Sequence, residues 1–319
     1  MTRRRQFMKD VLAGSAALRM MPAAMAGQSG QSGPASSSLP KGEICKLRVS
    51  RLIQGGNQLA FATHSRDLRY VGNLVKHYYT DAKLRETLET AESQGIDTLA
   101  IHPDVHMMPL LKQHRAAGGK IKLILSTEPP AVPVDPGMEG YRRRVAELVD
   151  FGVDAIYLWG VRADKLVNDG QLDLMAKAFD LIKATKLPAG VGAHALKTVM
   201  ASEKLQLPVD FYLKTFHHHD YPTAPKPGTA QDDNQEIPGY WCGKPQETLE
   251  FMATVRKPWI AFKVMAAGAI PPASAFKFAF ENGADFIAAG MFDYEIADDV
   301  RIAKGVLSKI PNRKRPWQG

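Results

Sequence analysis

Cysteine is nearly absent from this sequence of 319 residues, and Cys45 and Cys242 can form one bridge at most. That excludes a disulfide framework and a cysteine-based zinc site. Long apolar runs are missing too, which excludes a polytopic membrane protein. A hydrophobic fraction of 45% against 23% charged residues is too high for a disordered chain. Acidic residues fall short of basic ones, 33 against 41, for a net charge of +8 at pH 7. Such an excess points to a nucleic-acid partner only if it is concentrated on the folded body.

It is not. Arg3, Arg4, Arg5 and Lys9 open the chain, a modestly apolar stretch runs over 11–18, and Ala24-Met25-Ala26 follows. A basic segment, a short apolar segment and an A-x-A site are the three parts of an export signal. The arginine pair before Gln6-Phe7-Met8-Lys9 reads as a twin-arginine (Tat) signal. Cleavage after Ala26 removes five basic residues and one acidic residue, half of the net charge. Residues 27–45 read as a Gly/Ser-rich linker and 311–319, with Arg313, Lys314 and Arg315, as a basic tail. The expected setting is therefore periplasmic or extracellular. The translocation machinery is a partner during export, and neither nucleic acid nor a stable membrane span is expected.

Residues 46–310 alternate short β-branched or apolar runs with helical patterns. The runs fall at 47–59, 98–102, 121–126, 155–159, 189–194, 211–216, 259–264 and 286–291. Between them Leu84, Leu88 and Ala91, and then Leu172, Met175, Phe179 and Ile182, repeat at helical spacing. Gly95 and Gly283 stand where helices end, and Pro245 where one begins. Eight βα units in one domain imply an α/β fold, a single (β/α)8 TIM barrel behind a signal peptide and a flexible linker. In that fold chemistry sits at the C-terminal strand ends.

Those ends carry Asn57 and Gln58, His102 with Asp104 and His106, Glu128, Trp159, His194, Lys214, His217-His218-His219, Lys263 and Asp293. His64, His77 and His114 lie elsewhere and read as surface residues. Imidazoles and carboxylates converging from several strands can hold a divalent metal, and His102, Glu128, His194, His217 and His218 are the candidate ligands. The same groups can perform metal-free acid–base work, with Lys214 or Lys263 polarising a carbonyl, or can be structural. Three successive histidines cannot all face one centre. Asp104 and Asp293 are equally placed to cap helices. Trp159 and Trp241 suit stacking on a sugar, although Trp159 also suits a core. The long segment 221–244, with Tyr221, Asp232, Asp233, Glu236, Tyr240 and Trp241, follows the sixth run and suits a lid.

The order of segments resembles the aldo/keto reductase superfamily. Residues 49–59 resemble its first strand, Gly95-Ile96-Asp97-Thr98 its second, and Asp154-Ala155-Ile156-Tyr157-Leu158 its fourth. Residues 190–194 resemble its fifth, and 260–268 with Gly290-Met291 its last two. The resemblance implies a barrel that transfers hydride from NADPH with an Asp, Tyr, Lys and His tetrad, the tyrosine being the general acid. At the matching places this chain has Asp97 at the start of its strand, Asp104 and His106 in place of a tyrosine, Glu128 in place of the lysine, and Trp159-Gly160 in place of the histidine. A carboxylate for a lysine inverts the field that would depress a tyrosine pKa. The last loop brings Asp293 to where the nucleotide phosphate would lie.

The leading expectation is an exported barrel enzyme acting on a small sugar-like or hydroxy-carbonyl substrate by non-redox chemistry of the lyase, isomerase or hydrolase kind. It would use His102, Glu128, His194, Lys214 and Lys263, with a divalent metal, and Asn57, Gln58, Trp159, Tyr221 and Trp241 would contact substrate. An NADP(H)-dependent reductase and a non-catalytic exported ligand-binding protein are the alternatives.

Overall fold

The computed structural model describes residues 38–65, 68–128, 137–229, 239–310 and 313–319. The expected export signal, most of the linker, and Asp232, Asp233 and Glu236 lie outside the described residues. In chain order the elements begin with β1 (Lys41–Ile44), β2 (Leu47–Ser50), β3 (Leu52–Gly55), α1 (Arg69–Tyr78) and α2 (Asp81–Ser93). Next come β4 (Thr98–Ile101), α3 (Met107–Ala116), β5 (Lys122–Thr127), α4 (Glu139–Phe151), β6 (Ala155–Leu158), α5 (Gly160–Asn168) and α6 (Leu172–Lys183). Then follow β7 (Ala189–Ala193), α7 (Leu196–Lys204), β8 (Phe211–Thr215), α8 (Pro245–Met252), β9 (Trp259–Phe262), α9 (Pro272–Glu281), β10 (Phe286–Ala289) and α10 (Ile296–Leu307).

Strands β3 to β10 close an eight-stranded barrel in sequential order, β10 pairing with β3, and every pair is parallel. Seven of the eight expected runs coincide with barrel strands. The first was taken too long: 47–59 splits at Arg51, and its opening part is half of the antiparallel hairpin β1–β2. The fold consequently starts before 46, with Leu39 already buried, so the linker is shorter than 27–45. Ile44 and Val49 of the hairpin are fully buried among the inward side chains of the barrel and plug its N-terminal end. Burial of each contributes roughly 1.5–3 kcal/mol.

The sheet sorts its side chains by parity. Ile53, Ala100, Ile124, Tyr157, Leu213, Ile260 and Ala288 fill the interior. Their neighbours Leu52, Leu99, Leu123, Ile156, Tyr212, Ala261 and Ile287 join the helices in the outer core. Helix α2 shows the local logic: the Thr80 hydroxyl accepts from the Lys83 N–H at 3.2 Å, while Leu84, Leu88 and Ala91 form its buried face. Gly95, at φ 90°, then takes the left-handed turn that ends the helix. Among the described residues no helix is long and apolar enough to cross a membrane.

The segment 313–319 is not a loose basic tail. Arg315 is 1% exposed and pairs with the buried Asp285 at 2.6 Å. The Arg51 guanidinium donates to the Gly319 carbonyl at 2.8 Å. His114, read as a surface residue, is buried and pairs with Glu92 at 3.0 Å.

Candidate active site

A cavity of about 730 Å³ opens at the C-terminal ends of the strands. Ala100, Tyr157, Leu213, Phe262 and Ala288 of the inward layer form its floor. Two residues further along β4, parity turns His102 inward after Ala100. On β7 it turns His194 inward after Gly192. His194 sits where two strand ends nearly touch. A Cβ on Gly192 would lie 2.8 Å from the Gly160 nitrogen, so glycine is required there, and one on Gly160 would crowd the His194 ring at 3.3 Å.

Asp164, in the first turns of α5, organises His194. Its Oδ2 faces the ring Nδ1 at 3.0 Å and accepts the His194 backbone N–H at 2.9 Å. Its Oδ1 accepts from the Ala195 N–H at 3.3 Å and the Thr198 hydroxyl at 2.6 Å. A carboxylate opposite Nδ1 requires the proton there, which leaves the lone pair on Nε2. Burial lowers the His194 pKa, and the positive charges of Lys263 and Lys214 act in the same direction against Asp164. His194 is thus a neutral base with a fixed tautomer.

His64, on the loop after β3, belongs to the same group. Burial lowers its pKa to about 3, with Lys263 and His194 adding to the shift, and its ring centroid lies 5.8 Å from that of Trp241. Lys263 lines the cavity as well, its ammonium 5.0 Å from the Trp241 ring centroid. It follows the inward Phe262, so alternation alone would turn it out. A left-handed φ of 54° at the strand end breaks the alternation.

His102 is held differently. Its Nδ1 lies 2.6 Å from the Ser126 hydroxyl and its Nε2 3.1 Å from Glu128, while the ring stacks on Trp159 at 4.6 Å. Arg162 approaches the other Glu128 oxygen at 3.5 Å. The hydrogen bond from His102 is the main reason the Glu128 pKa is lowered. Ser126 also meets the hydroxyl of Tyr157, whose pKa burial raises to about 12. A chain of polar groups therefore runs from the cavity floor at Tyr157 to the carboxylate of Glu128.

Several expected site residues are engaged elsewhere. Lys214 follows the inward Leu213 and so points behind the sheet. It is fully buried and donates to the His194 carbonyl at 2.6 Å and to the Thr215 carbonyl and hydroxyl at 3.0 and 2.9 Å. It cannot reach a substrate carbonyl. His217 is 1% exposed, and its Nε2 accepts the backbone N–H groups of Trp241 and Cys242 at 3.0 and 3.1 Å. It is a tie for that segment. His218 binds Ser274 at 2.9 Å, and the Tyr221 hydroxyl donates to the Gly239 carbonyl at 3.2 Å. Neither lines the cavity. Asn57, Gln58, Trp159 and Trp241 do line it. Asp104 accepts the His106 and Met107 N–H groups at 2.9 and 2.8 Å and caps α3. Asp293 is occupied by Tyr78 and by Lys83 at 3.2 Å. Neither cysteine is bridged.

The residues fit a divalent metal poorly. His102 and Glu128 form one cluster, His194 and Asp164 another, and His217 and His218 have other partners. Among the described residues no three His, Cys, Asp or Glu side chains come together as a metal site requires. An anionic nucleotide fits no better at the last strand. Barrels of this architecture often bind phosphate with the loops after the last two strands and a helix N-terminus. Here Glu295 stands at the N-terminus of α10, its carboxylate accepting the Phe292 N–H of the preceding loop at 2.9 Å, and Asp298 and Asp299 follow in the first turn. Sequence reasoning missed His64, Asp164, Glu295 and Asp299. For Asp164 and Asp299 a signal exists, a carboxylate in the first turns of a helix that follows a barrel strand.

No protein-family model and no curated protein matches the sequence. Solved structures do match the fold. A Pseudomonas aeruginosa protein described as an aldo-keto reductase aligns with a TM-score of 0.52 at 17% identity, covering 84% of this chain and 94% of the other. Gox0644 in its apo form aligns with a TM-score of 0.51 at 10% identity over 84% of this chain and 94% of its own. A variant of Gox0644 in complex with NADPH aligns at 0.50 over 82% and 90%. Over most of its length, then, this chain is a TIM barrel whose fold is similar to that of the aldo-keto reductases.

Proposed function

We propose that the chain is a barrel enzyme that removes a proton from the carbon beside the carbonyl of a small hydroxy-carbonyl substrate, the opening step of an isomerase or a lyase. The observation that carries this reading is the Asp164–His194 dyad facing the cavity beside Lys263. A neutral imidazole with its tautomer set by a carboxylate is a general base at neutral pH. The Lys263 ammonium supplies positive charge for the enolate oxygen that develops as the proton leaves. His102, three strands away around the barrel, supplies a second proton-transfer group on another wall. Trp159 provides an apolar face for a sugar-like carbon skeleton, whereas the fully buried Trp241 backs His64 and Lys263. The twin-arginine pattern at the start of the sequence supports a place outside the cytoplasm for this reaction.

Proton exchange in deuterated water tests the reading directly, with a panel of aldoses, ketoses and hydroxy acids followed by proton NMR. Deuterium should enter the carbon next to the carbonyl of at least one compound, and His194→Asn should slow that exchange by roughly 10²–10⁴-fold. Loss of the Lys263 charge in Lys263→Met should slow it by about 10²–10³-fold. No exchange across the panel, or exchange indifferent to His194→Asn, would overturn the reading. Micromolar NADPH binding with hydride transfer would return the chain to reductase chemistry.

A further inference from the structure

Helix α10 and the loop after β3 both bring hydrogen-bond acceptors to the cavity lining. Asp299 is 4% exposed, yet its carboxylate has no cationic partner among the described residues, and it lines the cavity. Its electrostatic neighbours are the carboxylates of Glu295 and Asp298. Together with burial they raise its pKa to about 6, so at neutral pH it is largely ionised and without a counter-charge. Glu295 lines the cavity as well. From the β3 side comes Gln58, whose Oε1 is buried without a donor among the described residues and lies 1.7 Å from where a Cβ on Gly290 would stand. Glycine at 290 therefore leaves room for that amide to stand in the cavity wall.

A buried acceptor without a donor, and a buried carboxylate without a cation, each carry a desolvation cost that a ligand can relieve. Two acceptors of different type in the lining of one cavity call for a group that is all donor and positively charged. We propose that this corner is a subsite for a primary ammonium group, so that the substrate is an amino-bearing hydroxy-carbonyl compound of the amino-sugar kind, held by Asp299 and Gln58. The inference rests on the cavity being the substrate site, as proposed above. It also inverts the habit of the architecture: the corner that often takes phosphate in other barrels repels an anion here.

Saturation-transfer NMR on the purified full-length protein tests this with D-glucosamine, D-glucose and D-glucose 6-phosphate as probes. Glucosamine and glucose differ at one position, an ammonium against a hydroxyl. Glucosamine should bind about tenfold or more tightly than glucose, with the phosphate ester weakest, since a charge-assisted hydrogen bond to a buried carboxylate is worth at least that factor. Asp299→Asn should erase the preference, and Gln58→Leu should reduce it if Asp299→Asn does not fold. Equal binding of the amine and the sugar, no binding of either at millimolar concentration, or a preference that survives Asp299→Asn overturns the proposal. His194→Asn separates the two readings. It should slow proton exchange as above while leaving the amine preference intact, so a preference without exchange in the wild type would defeat the proposed reaction and spare the subsite.

Discussion

Replacing Arg315 by alanine should destabilise the barrel far more than removing a residue five from the end of a basic tail would suggest. The guanidinium is enclosed between three carbonyls and a carboxylate. Nε and Nη2 donate to Val255 at 3.2 and 3.0 Å, Nη1 to Gly283 at 2.9 Å, and Nη2 to Lys257 at 2.6 Å. Nη1 also pairs with Asp285 at 2.6 Å. Asp285 is fully buried, and its remaining protein contacts are the Trp259 and Gln318 N–H groups at 2.9 and 2.8 Å and Arg313 at 3.8 Å. Truncation leaves that carboxylate with Arg313 at 3.8 Å and the field of Arg51, neither of them within hydrogen-bond distance, and breaking a buried pair in this way costs about 3–5 kcal/mol. At about 2–3 °C per kcal/mol for a domain of this size, the Tm should fall by roughly 6–15 °C in differential scanning calorimetry. Arg315→Lys keeps the charge but cannot span three carbonyls with one ammonium, so its loss should lie between the two. A Tm within about 2 °C of wild type for Arg315→Ala would refute the account and show the tail to be dispensable.

Asp164→Asn should leave the shape of the dyad and remove its charge. Proton exchange should fall by about 10²–10⁴-fold, and the His194 pKa, read by imidazole NMR, should drop further below its wild-type value, because Asp164 is the group that raises it; exchange at the wild-type rate would remove Asp164 from the mechanism. Stability should also fall on acidification, starting near the ordinary histidine pKa of about 6.5. Burial holds His64 and His217 down to about 3 and lowers His194 as well, so between those limits the unfolded chain binds protons that the folded chain refuses. Their contribution is fully present above the unfolded value and is lost as pH falls toward 3. Urea midpoints across this range check the slope, and His217→Gln should flatten it, whereas an unchanged midpoint from neutral pH to about 4 would contradict it.

The barrel could be read from the sequence because its signals are local and repeated. Each strand is a short apolar run, and helices such as α2 and α6 carry one buried stripe at 3.6-residue spacing. What could not be read was long-range. Leu39, Ile44 and Val49 sit beside a Gly/Ser-rich stretch, and only closure of the barrel, which leaves an open end to be filled, makes them core. Arg313 and Arg315 look like tail charge until Asp285, at the foot of β10, is brought against them.

At the site, the strand ends were legible and the direction of each side chain was not. His102 and His194 close apolar runs and Lys214 lies near the end of one, but a one-residue change of parity sends the first two into the cavity and the third behind the sheet. Lys263 has the outward parity and still reaches the cavity, because its strand ends in a left-handed residue that no periodicity announces. The surface reading of His64 fails because a loop histidine has no pattern to mark its place at the cavity. The same geometry separates charge around the rim. On the proposed reading the His194 and Lys263 wall receives a developing negative charge, and Asp299 presents a carboxylate without a counter-ion among the described residues. A substrate with a carbonyl at one end and an ammonium at the other would have one favourable orientation. Reversed, it would set its cation against Lys263 and its oxygen against Asp299. Exchange measured on the two positions beside the carbonyl of an amino ketose should therefore be confined to one of them in the wild type and spread to both in Asp299→Asn. Equal exchange at both positions in the wild type would show that the two walls do not orient the substrate.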